Sequence, residues 1–271
     1  MYHRKKSLGL ILGGGELTRT LINNCKKKKI KIYIIAIKEN YSLDDVKPDI
    51  EISFDKIASI FSYLKKKNIT QVILLGSIKK KPLFKIRPNF ITFFYLLKIF
   101  LVYTKGDGEL INKVLKVFQS KNIDIIDPRT LLKKNLCNSK LNNLIKFKKY
   151  ININKIKKYF ILAKKYGQTD KGQAIIISDG KVLFSEDSNG TDCLINKFKY
   201  IKKYKFSCLV KVSKPNQDIR VDLPTIGPKT IENMVKVGIN GIIVEHERTF
   251  IESPVLTFKL IKRNNILFYA Y

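Results

Sequence analysis

The sequence predicts an α/β protein in two parts, with an N-terminal parallel, doubly wound sheet and a C-terminal domain of mixed α+β character. Three observations predict it. An apolar run, a glycine triplet and an amphipathic helix follow one another at the N-terminus. β-branched runs then alternate with helical patterns as far as residue 126. Past a stretch at 128–153 that is rich in Lys and Asn, hairpin signals join the helical ones.

The elements are read in chain order. Leu8–Leu12 is a short apolar strand, Gly13-Gly14-Gly15 a turn, and 17–28 a helix whose apolar positions Leu17, Leu21, Ile22 and Cys25 recur at helical spacing. Residues 31–37 and 71–76 are strands around an amphipathic helix at 56–67, and a helix at 109–120 leads into an extended run at 123–126. The low-signal stretch places a connector at 131–153 between an N-terminal domain at 1–130 and a C-terminal domain at 154–271. Beyond it, 154–166 is helical, 174–178 and 182–185 flank an Asp179-Gly180 hairpin turn, and 206–212 is a strand. The remainder reads as helix at 229–237, strand at 241–245, helix at 254–263 and strand at 266–271.

With 271 residues, 45% of them hydrophobic, the chain can bury a core in both parts. No window reaches the roughly 18 apolar residues of a membrane span, and the N-terminus is too short and too soon broken by glycine for a signal peptide, so a cytoplasmic protein is expected. Cys25, Cys137, Cys193 and Cys208 show no metal-ligand spacing. A formal net charge of +31 invites a nucleic-acid or membrane-surface binding protein without catalysis. Its lysine clusters are scattered and arginines are few, so most of this charge reads as solvated surface, with attraction to anionic headgroups a second use and no specific nucleic acid implied.

The glycine triplet would aim free N–H groups and a helix N-terminus at an anion. It is neither GxGxxG nor a Walker A loop, which weakens a nucleotide-cofactor oxidoreductase even though Glu39 is suitably placed for a ribose. Asp107, in KGDGE, and Thr191 or Asp192, in NGTD, each stand where a helix cap or a ligand group would stand. The densest constellation is KVSKPNQDIRVDLPTIG at 211–227, which holds Lys211, Lys214, Arg220, Asp218 and Asp222 on a proline-stiffened loop. Such a set reads either as a surface loop with an Asp222–Arg220 ion pair or as pyrophosphate-cleaving machinery, with cations for the phosphate oxygens and a carboxylate for a metal or water. Residues 90–103, FITFFYLLKIFLVY, are nearly all apolar and fit a core helix, an acyl-chain wall or both.

The stretches LGLILGGGEL, KGDGELINKVL, DKGQAIIISDGKVL, NGTDCLINK and KVSKPNQDIRVDLPTIGPKTI resemble, colinearly from residue 8 to about residue 268, the LpxI-type UDP-2,3-diacylglucosamine pyrophosphatases. The resemblance implies a Rossmann-like N-terminal domain and a distinct C-terminal one. It also implies Mg²⁺-dependent hydrolysis of UDP-2,3-diacylglucosamine to UMP and 2,3-diacylglucosamine 1-phosphate (lipid X), within lipid A synthesis in a Gram-negative bacterium. The expected partners are that lipid-linked nucleotide and the inner face of the inner membrane, as a peripheral protein, with a homodimer left open. Asp222 matches the aspartate of the family's RVDLPTIG segment and is the expected catalytic residue and metal ligand, with Asp192 as a second ligand. Gly13, Gly14, Gly15, Gly76, Lys80, Gly106, Asp107, Thr191, Lys211, Lys214, Arg220 and Thr225 are the expected substrate-binding set. The chain departs from the family at Asn189, Gly108 and Lys79-Lys80-Lys81, where Glu, an acidic or amide residue and a GxVxRP-like pattern are usual.

Overall fold

The computed structural model describes residues 7–77, 88, 92, 107–201, 204–215 and 218–271. Lys80, Gly106 and, apart from Thr92, the apolar stretch at 90–103 lie outside them. Contacts divide the chain into two units, Met1–Lys133 and Lys134–Tyr271.

In the first unit, strands β1 (Leu8–Leu12), β2 (Ile32–Ile37), β3 (Ile50–Ile52), β4 (Gln71–Leu75) and β5 (Asp124–Ile125) form a sheet in the order β3-β2-β1-β4-β5. Every pairing is parallel. The central strand β1 is buried along its whole length, which is why it is apolar without alternation. Helix α1 (Glu16–Lys27) buries Leu17, Leu21, Ile22 and Cys25, with Glu16 in its first turn and Lys26 and Lys27 in its last to complement the helix dipole. Helices α2 (Ser59–Lys66) and α3 (Asp107–Gln119) follow. The helix expected at 56–67 is two pieces, a 3₁₀ turn at Phe54–Lys56 and then α2. β3 is a further difference, because three residues beyond Pro48 are too few to show a period.

Strand order reverses between β1 and β4, which places the loops leaving these two strands side by side at the sheet's carboxyl edge. They are joined by backbone: Gly13 N–H donates to Leu75 O at 2.9 Å, Gly14 N–H to Ser77 O at 3.1 Å, and Ser77 N–H to Gly14 O at 2.8 Å. Gly76 makes the junction possible. Its φ is +101°, and a Cβ there would lie 2.7 Å from Gly14 O.

The second unit has a five-stranded mixed sheet built from β6 (Ala174–Ser178), β7 (Lys181–Ser185), β8 (Ser207–Lys211), β10 (Gly241–Val244) and β12 (Leu267–Ala270) in the order β12-β10-β8-β6-β7. β12, β10 and β8 are parallel, while β6 runs antiparallel to β8 and to β7. The carboxyl ends of β7, β8 and β10 therefore share one edge. β9 (Thr225–Ile226) and β11 (Phe250–Ile251) make a separate two-stranded ribbon. One sheet face packs Ile176, Leu209, Ile242 and Phe268 against helices α5 (Gly190–Lys197), α6 (Pro228–Val237) and α7 (Pro254–Arg263). The other packs Ile175, Val210 and Ile243 against helix α4 (Ile153–Gly167), whose buried face is Ile156, Tyr159 and Ala163.

Within the second unit α4 is preceded by 3₁₀ turns, of which Ser139–Leu141 and Leu144–Phe147 lie against β12. Asn143 Oδ1 accepts from Phe268 N–H at 2.8 Å and Asn142 Oδ1 from Ala270 N–H at 2.7 Å. The two amides thus satisfy the outer edge of β12.

Replacing Gly76 with Ala should lower unfolding stability by at least about 1–3 kcal/mol, the usual cost of a side chain held at an unfavourable backbone angle, before the clash with Gly14 is added. Urea denaturation checks this, and an unchanged midpoint would contradict the described junction.

Candidate active site

The KVSKPNQDIRVDLPTIG loop leaves the carboxyl end of β8 and returns as β9. Its two feet are tied. At the first, Glu245, which follows β10, accepts at Oε2 from Ser213 N–H at 2.8 Å, Ser213 Oγ at 2.6 Å and Lys164 Nζ at 2.7 Å. At the second, Phe250 N–H donates to Pro224 O at 2.8 Å, and Lys211 Nζ donates to Thr225 O at 2.9 Å. Gly227 closes the motif because Glu252 Oε2 would stand 2.9 Å from any Cβ placed there.

Lys211 is the centre of this arrangement. It is the last residue of β8, 7% exposed, and its Nζ also donates to Thr191 Oγ1 at 2.9 Å. Burial pushes its pKa below the ordinary value of 10.5, while Glu186, Asp222, Asp192 and Glu252 pull it back. Thr191 in turn donates to Glu186 Oε1 at 2.5 Å, and Glu186 Oε2 accepts from Gln173 N–H at 2.7 Å.

Thr191, Lys211, Asp222 and Thr225 thus come together, with half-buried Asp222 among the carboxylates that act on Lys211. Asp192 is more exposed and pairs with Lys229 at 2.8 Å and Asn233 at 3.1 Å. Thr191 and Asp192 lie inside the first turn of α5 rather than at its cap, which is Asn189. The other two cations of the loop are already engaged. Lys214 Nζ holds Asp170 Oδ1 at 2.8 Å. Arg220 forks onto Asp218, Nε to Oδ1 at 3.0 Å and Nη2 to Oδ2 at 2.6 Å, so the carboxylate gripped by that guanidinium is two residues before it.

Gly13, Gly14, Gly15 and Gly76 meet in the first unit's junction, and α1 begins beside them. The first-turn N–H groups of a helix have no intrahelical acceptor, so this is an anion-favouring surface of its own. Asp107 opens α3. Sequence reasoning missed Glu186, Glu245, Glu252 and Lys164. A signal for one of them was present: Glu245 directly follows the apolar, fully buried strand β10, where a carboxylate ends up buried and must find a partner.

The grip of Arg220 holds the Asp218 carboxyl below its ordinary value of 3.8, against the opposing effect of partial burial. A lowered carboxyl pKa adds stability above the unfolded-chain value, and this is lost as pH falls through the native one. Asp218→Asn should therefore be less stable than the wild type at neutral pH, with the gap closing as pH falls below 3.8. Urea denaturation across that range measures it, and a gap that does not change with pH would contradict the pairing.

Comparison with known proteins bears on both units. Residues 7–135 match the LpxI N-terminal domain and residues 145–269 the LpxI C-terminal domain. Over 256 residues, covering 91% of this chain and 90% of the relative, the chain is 25% identical to the UDP-2,3-diacylglucosamine pyrophosphatase LpxI of Caulobacter vibrioides. With both halves matched in order, the chain belongs to the LpxI family.

Proposed function

We propose that the chain hydrolyses the pyrophosphate bond of UDP-2,3-diacylglucosamine, giving UMP and 2,3-diacylglucosamine 1-phosphate in lipid A synthesis. One observation carries this reading: in a chain matching both LpxI domains, Asp222 is a half-buried carboxylate on a loop tied at both feet beside a buried ammonium.

Mg²⁺ is the cofactor of this proposal. Among the described residues no three His, Cys, Asp or Glu side chains group to hold a metal. The ion does not require such a cage, since it typically takes one or two carboxylates and completes its shell with waters and substrate phosphates. Asp222 would hold it, and Asp192 would be a second ligand on giving up Lys229 or Asn233. When bound, Mg²⁺ offsets charge on the phosphate oxygens and makes a nearby water more acidic. Asp222 would orient that water toward one phosphorus and accept its proton as the new P–O bond forms, while the anhydride P–O bond breaks and the departing phosphomonoester leaves as an anion. Lys214 and Arg220 lie on the same loop to meet the phosphates, which would share them with Asp170 and Asp218.

A diacylated substrate requires access to lipid, and the basic side of the second unit suits it. No described helix is long and apolar enough to cross a membrane. Residues 134–169 contain no Asp or Glu, and on the outer side of α4 Ile161, 55% exposed, lines a shallow hollow with Lys157 and Lys158. Apolar tips among lysines match an anionic bilayer surface.

Asp222→Ala should cut UMP release from UDP-2,3-diacylglucosamine with Mg²⁺ by about 10³-fold or more while substrate binding persists. EDTA should silence the wild type, and turnover by the variant at the wild-type rate would end the assignment. In flotation assays the protein should bind vesicles containing phosphatidylglycerol, release them at high salt, and ignore neutral phosphatidylcholine. A Lys157→Glu, Lys158→Glu double variant should bind less, and equal binding to neutral vesicles would remove the electrostatic part of this reading.

A further inference from the structure

We infer that Glu186 and Thr191 are positioning residues for Asp222, acting through Lys211 to fix the end of the loop that carries it. The inference rests on the reading of Asp222 as the catalytic carboxylate.

Four elements contribute one group each: Glu186 beyond β7, Thr191 on α5, Lys211 on β8 and Thr225 on β9. The direction of every hydrogen bond is forced. An ionised carboxylate only accepts and an ammonium only donates. The Thr191 hydroxyl between them therefore gives its proton to Glu186 Oε1 at 2.5 Å and receives one from Lys211 Nζ at 2.9 Å. Glu186 cannot turn away, because it is 5% exposed and its other oxygen holds Gln173 N–H at 2.7 Å. With Lys211 fixed from one side, its second bond, 2.9 Å to Thr225 O, clamps the chain three residues beyond Asp222. On the other side of Asp222, its own N–H reaches Asp218 O at 3.2 Å, in the turn stiffened by Arg220. Asp222 is thus held between a turn and a clamp. Without the Thr191 hydroxyl, the ammonium is free to swing among Asp222, Asp192 and Glu252, whose fields all reach it. Such a swing would release Thr225 and pull the catalytic carboxylate out of line.

The test compares Thr191→Val, nearly the same shape without the hydroxyl, with Thr191→Ser, which keeps it, and adds Glu186→Gln, all in the full chain. Steady-state kinetics on UDP-2,3-diacylglucosamine with Mg²⁺ are read beside thermal unfolding and amide hydrogen exchange at 221–226. Thr191→Val and Glu186→Gln should lower kcat about 10- to 100-fold, with KM kept within about threefold. Exchange at 221–226 should quicken in both, and Thr191→Ser should recover most of the loss. A raised KM with unchanged kcat in Thr191→Val would make Thr191 a direct substrate contact and overturn the inference, as would wild-type kcat. Should the wild type itself fail to hydrolyse this substrate, exchange decides. Quickening confined to 221–226 in Thr191→Val keeps the clamp and rejects the substrate, whereas unchanged exchange rejects the clamp.

Discussion

The second unit is organised around one burial problem. An ammonium removed from water costs several kcal/mol unless its N–H donors meet acceptors and its charge meets opposite charge. Lys211, 7% exposed at the end of β8, is matched by a hydroxyl, a backbone carbonyl and the fields of four carboxylates. These partners come from separate elements, so the solution exists only when strands, helix and loop are all in place. Glu245 repeats the device with opposite sign one strand away, gathering Lys164 and both polar groups of Ser213. The loop between the two buried charges inherits its shape from them.

The first unit solves a different problem with no charge at all. Loops leaving adjacent parallel strands diverge unless something joins them, and here the backbones of Gly14 and Ser77 pair directly. Close approach of that kind needs a residue without a side chain, which ties the glycine triplet to a glycine some sixty positions later. The two units thus hold their strand ends by opposite means, one by removing side chains and the other by burying charged ones.

Much of this was legible in the sequence. Leu8–Leu12 and Gly241–Val244 are apolar throughout, and Ala174–Ser178 up to its closing serine, because both faces of their sheets are covered, and such runs stand out without an alignment. Elements of two or three residues, such as β3, β9 and β11, carry too little pattern to be found. The site divides in the same way. Lys211, Asp222 and Thr225 are near in sequence and were read together from composition and from the family's RVDLPTIG segment. Glu186 and Lys164 act across folds of the chain, and Glu245 meets Lys164 from 81 positions away. Nothing local marks such a partnership. Arg220 shows the opposite error: two carboxylates flank it at equal spacing, and turn geometry brings Asp218 onto its fork.

The asparagine brace on β12 bears on how the second unit assembles during synthesis. Asn142 and Asn143 are made early, yet the amides and carbonyls they serve belong to β12 and to Ile266 just before it, which follow the other described elements of that unit. Until that strand leaves the ribosome, β10 has a bare flank and the asparagines have nothing to grip. The residues of β12 therefore act as a keystone, and a nascent chain that has not yet supplied them holds an open sheet margin on which chaperones or stray strands can act.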